Sequence, residues 1–152
     1  MRAAAAALGT EMQFFAGSSE ERINLAFAAM TRARTGGVLV VSDPYLVAQR
    51  QRIAQLAAKQ RLPSIFGNRE NVTAGGLMCY GESATESMVM AAKYIARILK
   101  GSNPGDLPIE QPTTIQLVIN RGTARVLGIS IPENLLVRAD ELIDAPPSLD
   151  QS

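Results

Sequence analysis

The chain has 152 residues, of which 47% are hydrophobic and 19% are charged, and its formal net charge at pH 7 is +1. This balance is typical of one folded globular domain and excludes a disordered tail. Lys and Arg are scattered along the sequence, so a nucleic-acid partner, which needs a clustered basic surface, is excluded as well.

The residue types that most catalytic and metal sites need are scarce in this sequence. It contains no His and a single Cys, Cys79. The commonest general base and the usual zinc ligand sets are therefore absent, and no Ser lies in a recognisable nucleophile motif. Cys79 stands in an apolar run, which favours a buried, inert thiol. We predict a protein that is not an enzyme and uses no metal or cofactor.

The first residues give no sign of export or membrane insertion. The apolar run from Ala3 to Leu8 is short and has no convincing cleavage site, so it indicates the end of a helix that Gly9 terminates. No stretch approaches the roughly 20 apolar residues of a membrane span. By itself the sequence predicts a chain without an export signal, which stays in the cytoplasm if it is expressed as given.

Helix and strand patterns alternate along the chain. Apolar residues at helical spacing, such as Ile23, Phe27 and Met30, predict helices, and short runs rich in β-branched residues predict strands. The predicted helices cover residues 2–8, 18–34, 44–60, 83–99 and 121–127, with one more beginning at Pro132. The predicted strands cover residues 11–15, 37–41, 63–66, 77–80 and 115–119, and the second of them reads as buried on both faces. This order predicts an α/β fold, a mostly parallel sheet flanked by helices.

The loops that follow the strands are the expected ligand-binding region, because ligands of open α/β sheets bind beyond the carboxyl ends of the strands. The loops after residues 15, 41, 66 and 80 are all polar or rich in glycine. Their candidate ligand-binding residues are Ser18, Ser42, Asp43, Tyr45, Arg69, Glu70, Tyr80 and Ser83.

Several of these candidates also have a purely structural interpretation. Ser18 with Glu21, and Ser83 with Glu86, fit the capping box that begins a helix. Asp43 before Pro44 is a strong helix-start signal, although its carboxylate is equally suited to accept a hydrogen bond from a ligand ammonium or hydroxyl group. A helix start and a binding role are compatible.

Arg69, Glu70 and Tyr80 likewise have more than one interpretation. Arg69 has the planar donor group that clamps a carboxylate, yet Arg69 and Glu70 can also form a solvated surface pair of little energetic value. Tyr45 is suited to stack on an apolar part of a ligand. Tyr80 is interpreted either as core packing or as a wall of the cleft.

Several short sequence segments, taken in their order along the chain, resemble those of a known family. The chain is similar, over residues 3–142, to the C-terminal half of substrate-binding proteins of bacterial ABC transporters, of the aromatic-amino-acid type with the type I periplasmic binding protein fold. The strings are Gly75-Gly76-Leu77-Met78-Cys79-Tyr80-Gly81, Leu107-Pro108-Ile109-Glu110-Gln111-Pro112-Thr113, Ile115-Gln116-Leu117-Val118-Ile119-Asn120 and Thr123-Ala124-Arg125-Val126-Leu127-Gly128-Ile129-Ser130-Ile131-Pro132.

The resemblance implies a function as the solute-binding component of an ABC importer, or a fragment of it. Such a protein closes two lobes on a small solute such as an amino acid. Its partners would be that solute and, for the full-length protein, an ABC permease, and its location would be periplasmic or otherwise extracytoplasmic. Residues 1–144 would form a single lobe, with the helix over residues 83–100 packed on a missing lobe or a partner chain, and residues 145–152 would be a flexible tail.

The resemblance also implies that parts of the two-lobed protein are absent from this chain. These are the other lobe and the strand before the first helix, which is normally central in the sheet. The predicted helix over residues 83–99 would then expose the apolar stripe of Met88, Ala91, Ala92, Ile95 and Leu99. We therefore predict a homo-oligomer. The alternative function is a self-associating structural or regulatory domain that has lost solute binding.

Overall fold

The computed structural model describes residues 2–110 and 114–146. They form one five-stranded sheet flanked by helices. The helices are α1 (Arg2–Ala7), α2 (Glu20–Arg32), α3 (Pro44–Ala48), α4 (Arg50–Lys59), α5 (Arg69–Thr73), α6 (Ala84–Leu99), α7 (Arg121–Leu127) and α8 (Glu133–Arg138). The strands are β1 (Val38–Val40), β2 (Ser64–Phe66), β3 (Met78–Glu82), β4 (Ile115–Asn120) and β5 (Glu141–Ile143).

The strands lie side by side in chain order, β1-β2-β3-β4-β5. All neighbouring pairs are parallel except β3 with β4, which is antiparallel. This confirms the predicted α/β fold with a mostly parallel sheet. β3 and β4 continue their pairing beyond the other strands as far as Glu82 opposite Ile115, so they form a two-stranded ribbon that leads to α6.

The core lies between the sheet and the helices α2, α4 and α5. Directly opposed residues run across the sheet in one row, Val40, Phe66, Cys79, Val118 and Glu141. Phe66, Cys79 and Val118 pack there in one cluster with apolar residues of the helices, among them Ile23, Phe27, Met30, Ile53 and Val72. The helical spacing of Ile23, Phe27 and Met30 is therefore confirmed as the buried face of α2.

Cys79 is 2% exposed, and burial raises the pKa of its thiol. Because the thiolate is the reactive form of cysteine, a raised pKa makes Cys79 less reactive. This agrees with the predicted inert thiol. The free Cys79 packs in the cluster like a small apolar residue.

Two strand predictions are wrong at the β1 end of the sheet. Residues 11–15 form no strand, because no neighbouring strand is present in the described chain to pair with them. β1 is not buried on both faces, since Leu39 is 51% exposed, and Val41, just after the strand, is 50% exposed. Both errors have one cause: β1 is an edge strand, paired with β2 alone among the described residues.

Two helix predictions also need correction. The helix predicted over residues 44–60 is interrupted at Gln49, where the Arg50 guanidinium donates to the carbonyl oxygen of Val47. The helix α2 begins at Glu20, two residues after the predicted start, and Ser19 rather than Ser18 is its N-cap, with Oγ accepting from the Arg22 amide at 3.1 Å. The Ser18–Glu21 capping box is therefore not formed.

The elements α5 and β5 were not predicted, whereas α6 and α7 match their predicted bounds closely. Gly128 ends α7 with φ +71°, in the left-handed region that glycine adopts easily. Within the described ranges, no helix is both long and apolar enough to cross a membrane. The tail predicted for residues 145–152 lies outside the described residues except for positions 145–146, which belong to no helix or strand.

Candidate functional site

The carboxyl ends of β1, β2 and β3 meet in one place. A Cβ atom on Gly67 would lie 3.2 Å from the Cβ of Ser42, and a Cβ on Gly81 would overlap the carbonyl oxygen of Gly67. The loops after β1 and β2 and the end of β3 are therefore in contact through Ser42, Gly67 and Gly81. We call these three residues the three-strand junction. The missing side chains at positions 67 and 81 allow the backbones to approach this closely.

Ser42 and Asp43 lead from the junction into α3. Asp43 is the N-cap of that helix, and its Oδ1 accepts from the amides of Tyr45 at 2.9 Å and Leu46 at 3.2 Å. The helix-start interpretation of Asp43 is thus confirmed. Both Ser42 and Asp43 are exposed, and Asp43 Oδ2 takes no part in the cap. A carboxylate held in this way has one oxygen directed by the helix and another available as an acceptor.

Arg69, in the first turn of α5, is bound to a residue far away in the sequence. Its guanidinium makes a two-pronged ion pair with Glu141 at the start of β5, Nε to Oε2 at 2.6 Å and Nη2 to Oε1 at 2.5 Å. The pairing lowers the pKa of Glu141 and raises that of Arg69. The expected Arg69–Glu70 surface pair does not form. The planar donor group of Arg69 is already occupied, so it has little left for a ligand carboxylate.

Tyr80 and Ser83 lie on the ribbon of β3 and β4. Tyr80 is 58% exposed, which excludes the core-packing interpretation and leaves its ring as part of the surface beside Gly81. Ser83 is buried and caps α6, its Oγ accepting from the Glu86 amide at 3.3 Å. Ser83 therefore has a structural role, as the capping-box interpretation predicted.

The structure brings some candidates together and separates others. Ser42, Asp43 and Tyr80 lie at or next to the three-strand junction, and Tyr45 follows in the first turn of α3. Glu70 is exposed and forms no ion pair within the described part of the chain. Ser18 is exposed in the segment before α2, where its neighbour Gly17 approaches Leu46 of α3.

Sequence reasoning missed Gly67, Gly81 and Glu141. The two glycines directly follow or end strands, which is the signal that could have marked a close backbone contact. Glu141 gave no local signal, because its role depends on a partner 72 residues earlier.

Chemically, the junction is a polar surface beside the exposed ring of Tyr80. It offers hydroxyl and carboxylate acceptors from Ser42 and Asp43 and the apolar face of Tyr80. Across residues 2–110 and 114–146, no three His, Cys, Asp or Glu side chains gather as metal ligands. Such a surface suits an amphipathic ligand with a positive or hydroxylated end and an apolar end.

Comparison with known proteins identifies the family of this chain and gives solved structures with the same fold. The family model described as "ABC transporter substrate binding protein" matches residues 2–143. A tyrosine-binding protein of Clostridioides difficile is 22% identical over 110 residues, which are 72% of this chain and 32% of that protein.

Two solved structures superimpose closely on most of the chain. One is the ABC domain from Streptococcus pneumoniae in complex with L-Trp, with a TM-score of 0.83, 27% identity, and coverage of 93% of this chain and 49% of that one. The other is a conserved domain protein from Vibrio cholerae O1 biovar El Tor, with a TM-score of 0.83, 25% identity, and coverage of 93% and 47%. The chain thus spans about half, or less, of the length of the proteins that it matches.

Proposed function

Since this chain belongs to the family of ABC transporter substrate-binding proteins, we propose that it binds a small amphipathic amino acid at the three-strand junction. The observation that carries the proposal is the contact of three strand ends at Ser42, Gly67 and Gly81, next to exposed Asp43 and Tyr80. The L-Trp complex of the Streptococcus structure and the name of the tyrosine-binding relative support an aromatic amino acid as the first choice of ligand.

The chemistry of the site assigns a role to each group. The Asp43 carboxylate accepts hydrogen bonds from the ligand ammonium, while the α3 amides keep its orientation fixed. The Tyr80 ring stacks on the aromatic side chain of the ligand. Because the junction is an open surface, a second lobe would cover the ligand from the opposite side, and closing that lobe would complete the site.

The wider role follows from the same family. We propose that the complete protein works outside the cytoplasm and delivers its solute to an ABC permease. Its activity is binding and release, without a chemical step on the solute.

The proposed function can be tested with the natural fluorescence of the ligand. The chain contains no Trp, so the fluorescence anisotropy of free L-Trp reports its binding without a tryptophan background from the protein. We expect a saturable rise in anisotropy, with glycine as a weak competitor and L-Tyr as a strong one. An anisotropy that stays flat up to millimolar protein would contradict solute binding by this chain.

The role of Asp43 is tested by Asp43→Asn. Asparagine caps a helix about as well as aspartate, so the helix keeps its start while the site loses its negative charge. We expect L-Trp affinity to fall about tenfold or more, since a hydrogen bond to a charged group contributes roughly 1.5–3 kcal/mol. Asp106→Asn, an exposed aspartate in the short 3-10 turn after α6, is the control and should leave affinity unchanged.

A second function, self-association without solute binding, is favoured by one specific observation. No residue of α6 is buried, and Met88 and Leu99 are 74% and 82% exposed. We propose that this face packs on a second lobe or on another copy of the chain. A tight oligomer that ignores every amino acid tested would favour this second function over the first.

A further inference from the structure

Basic side chains from separate parts of the sequence gather at the edge of the sheet opposite the three-strand junction. The helices α2 and α4 end just before β1 and β2 begin, so both end at this edge. Because β4 is antiparallel to β3, its last residue Asn120 bonds to Leu77, just before β3, and α7 begins at the same edge. The basic side chains contributed here are all exposed: Arg32, Arg34, Lys59, Arg61, Arg121 and Arg125. We call these six residues the basic edge.

The basic edge forms one row across the sheet. The Val38 amide donates to the carbonyl oxygen of Pro63 at 2.8 Å, so the turns before β1 and β2 lie side by side. The helix α4 in turn contacts α7. With neighbouring strands about 4.8 Å apart, the row from β1 to β4 is roughly 14 Å long. The strand spacing is shorter than the Debye length of about 8 Å at physiological salt, so charges on neighbouring turns act on a partner together.

Positive charge is in excess at this edge. Asp144, after β5, forms ion pairs with both Arg121 and Arg125. Glu11 lies near the β1 end of the row, where it lines a cavity beside that strand, and Glu133 begins α8 near the other end. Six cations against these three carboxylates leave three positive charges, whereas the whole chain has a net charge of only +1. Within the described ranges, the four cations at the ends of α2 and α4 form no ion pair.

Two residues of the basic edge have an unusual backbone conformation. Arg34 and Arg61 both have φ +52°, and in the described chain they are the two residues other than glycine with a positive φ. Each follows the C-cap of its helix, α2 or α4, where glycine is the preferred residue because a side chain destabilises left-handed backbone. The same unfavourable choice at two neighbouring turns indicates that the arginine side chains have a use that glycine cannot supply.

The α7 end of the row adds an apolar surface. A shallow cavity of about 400 Å³ is lined by Arg121 and Arg125 together with Ile129, Ile131 and Leu136. In the described structure the Nη1 group of each of these arginines makes no hydrogen bond. Guanidinium donors beside an apolar wall suit a phosphate group that carries alkyl chains. A phospholipid has both parts, whereas a nucleic acid offers phosphates without alkyl chains.

We propose that the basic edge docks on a membrane surface that contains anionic phospholipid. Headgroup phosphates bind along the row of basic side chains, and the upper part of an acyl chain contacts the apolar wall beside α7. Clusters of about four to eight Lys and Arg residues are typical of surfaces that bind anionic lipid. The three-strand junction lies at the other ends of the strands, so a docked chain keeps it free for a solute.

The proposal is tested by sedimenting the 152-residue chain with lipid vesicles. Vesicles of phosphatidylglycerol and phosphatidylcholine in equal parts should bind the chain saturably, and vesicles of phosphatidylcholine alone should not. Binding should weaken strongly at about 1 M salt, where the Debye length falls to about 3 Å.

A double variant separates docking from a structural role of the same residues. Arg34→Gly with Arg61→Gly relieves the left-handed backbone, so the thermal midpoint of unfolding should rise. The same variant should bind anionic vesicles at least tenfold more weakly, because it removes two charges from the row. The matched control, Arg22→Gln with Arg138→Gln, removes two exposed charges near the opposite edge and should change the affinity by less than about twofold.

The proposal is overturned if the unmodified chain does not bind anionic vesicles, or if the two double variants lose affinity equally. It is also overturned if the deacylated headgroup glycerophosphoglycerol displaces the chain from vesicles at the same phosphate concentration, or if duplex DNA at that concentration binds the chain more tightly. All of these outcomes concern the edge far from the three-strand junction, so solute binding there succeeds or fails independently.

Discussion

Individual side chains at the ligand end of the sheet are used mainly to hold the loops in place. Asp43 caps α3, Ser83 caps α6, and the guanidinium of Arg69 joins α5 to the start of β5 through Glu141. The polar groups left for a solute include the second oxygen of Asp43 and the hydroxyls of Ser42 and Tyr80. Residue identity alone therefore does not tell which of the candidate groups already have partners within the chain.

The Arg69–Glu141 pair makes stability depend on pH. The pairing lowers the pKa of Glu141 below its ordinary value, so its contribution is fully present above the unfolded value of about 4.3 and is lost as the pH falls through the lower folded value. The two side chains are 48% and 38% exposed, so solvent screening limits the contribution to roughly 0.2–1 kcal/mol.

We expect Glu141→Gln to be less stable than the unmodified chain at pH 6, and we expect this deficit to shrink as the pH is lowered to 3, as measured by urea unfolding. Glu70→Gln removes a neighbouring carboxylate that forms no ion pair in the described structure and serves as the control. A Glu141→Gln deficit that persists unchanged at pH 3 would show that the ion pair is not its source.

The close approach at the three-strand junction can be measured with a single methyl group. In Gly81→Ala the new Cβ would overlap the Gly67 carbonyl oxygen, whereas in Gly36→Ala it would meet nothing within 4 Å. We expect Gly81→Ala to lose about 1–3 kcal/mol or more of unfolding free energy, and Gly36→Ala to change it by about 0.5 kcal/mol or less. Equal urea midpoints for the two variants would contradict the tight junction.

At the level of helices and strands, sequence periodicity predicted the long elements well. The apolar spacing of α2, the start of α6 at Ser83 and the end of α7 at Gly128 were all readable, because each depends on residues close together in the chain. The errors concern elements whose state depends on distant neighbours. Residues 11–15 have strand composition but no strand beside them, and β5 is too short to show a period.

The same reasoning explains how much of the site was predictable. The loops at strand ends could be chosen as a candidate region, since the alternation of strands and helices fixes which edge they share. The contact among Ser42, Gly67 and Gly81 depends on the register of three strands. The Arg69–Glu141 pair joins α5 to β5, and its two residues are 72 positions apart in the sequence. Neither can be deduced from spacing along the chain.

The exposed face of α6 carries a prediction about assembly. Met88, Ile95 and Leu99 share one side of the helix and are 74%, 57% and 82% exposed. We expect the chain to self-associate at micromolar concentration, because burying these side chains together removes apolar surface from water.

The double variant Met88→Lys with Leu99→Glu keeps the net charge and should give monomers in sedimentation experiments. Exchanging the charges on the polar face, Glu86→Lys with Lys93→Glu, is the matched control and should leave association unchanged. A monomeric unmodified chain would count against assembly through α6.

For the whole molecule, the ribbon of β3 and β4 has a practical consequence. Glu82 and Ile115 are paired across it, so the polypeptide leaves the sheet and returns to it at neighbouring positions. The described residues between them, 83–110 and 114, carry α6 and a short 3-10 turn but supply no strand to the sheet. They behave topologically as an insertion between two halves of a hairpin.

Such an insertion should be removable. Replacing residues 83–114 with a short Asn-Gly turn, which favours antiparallel hairpins, should give a smaller protein that still unfolds cooperatively in urea. Loss of cooperative unfolding would mean that the excised segment supports the fold from outside the sheet. If the shortened protein folds, the ribbon becomes a cloning site: any helix, tag or foreign module whose ends lie close together could be exchanged there while the remaining scaffold stays the same.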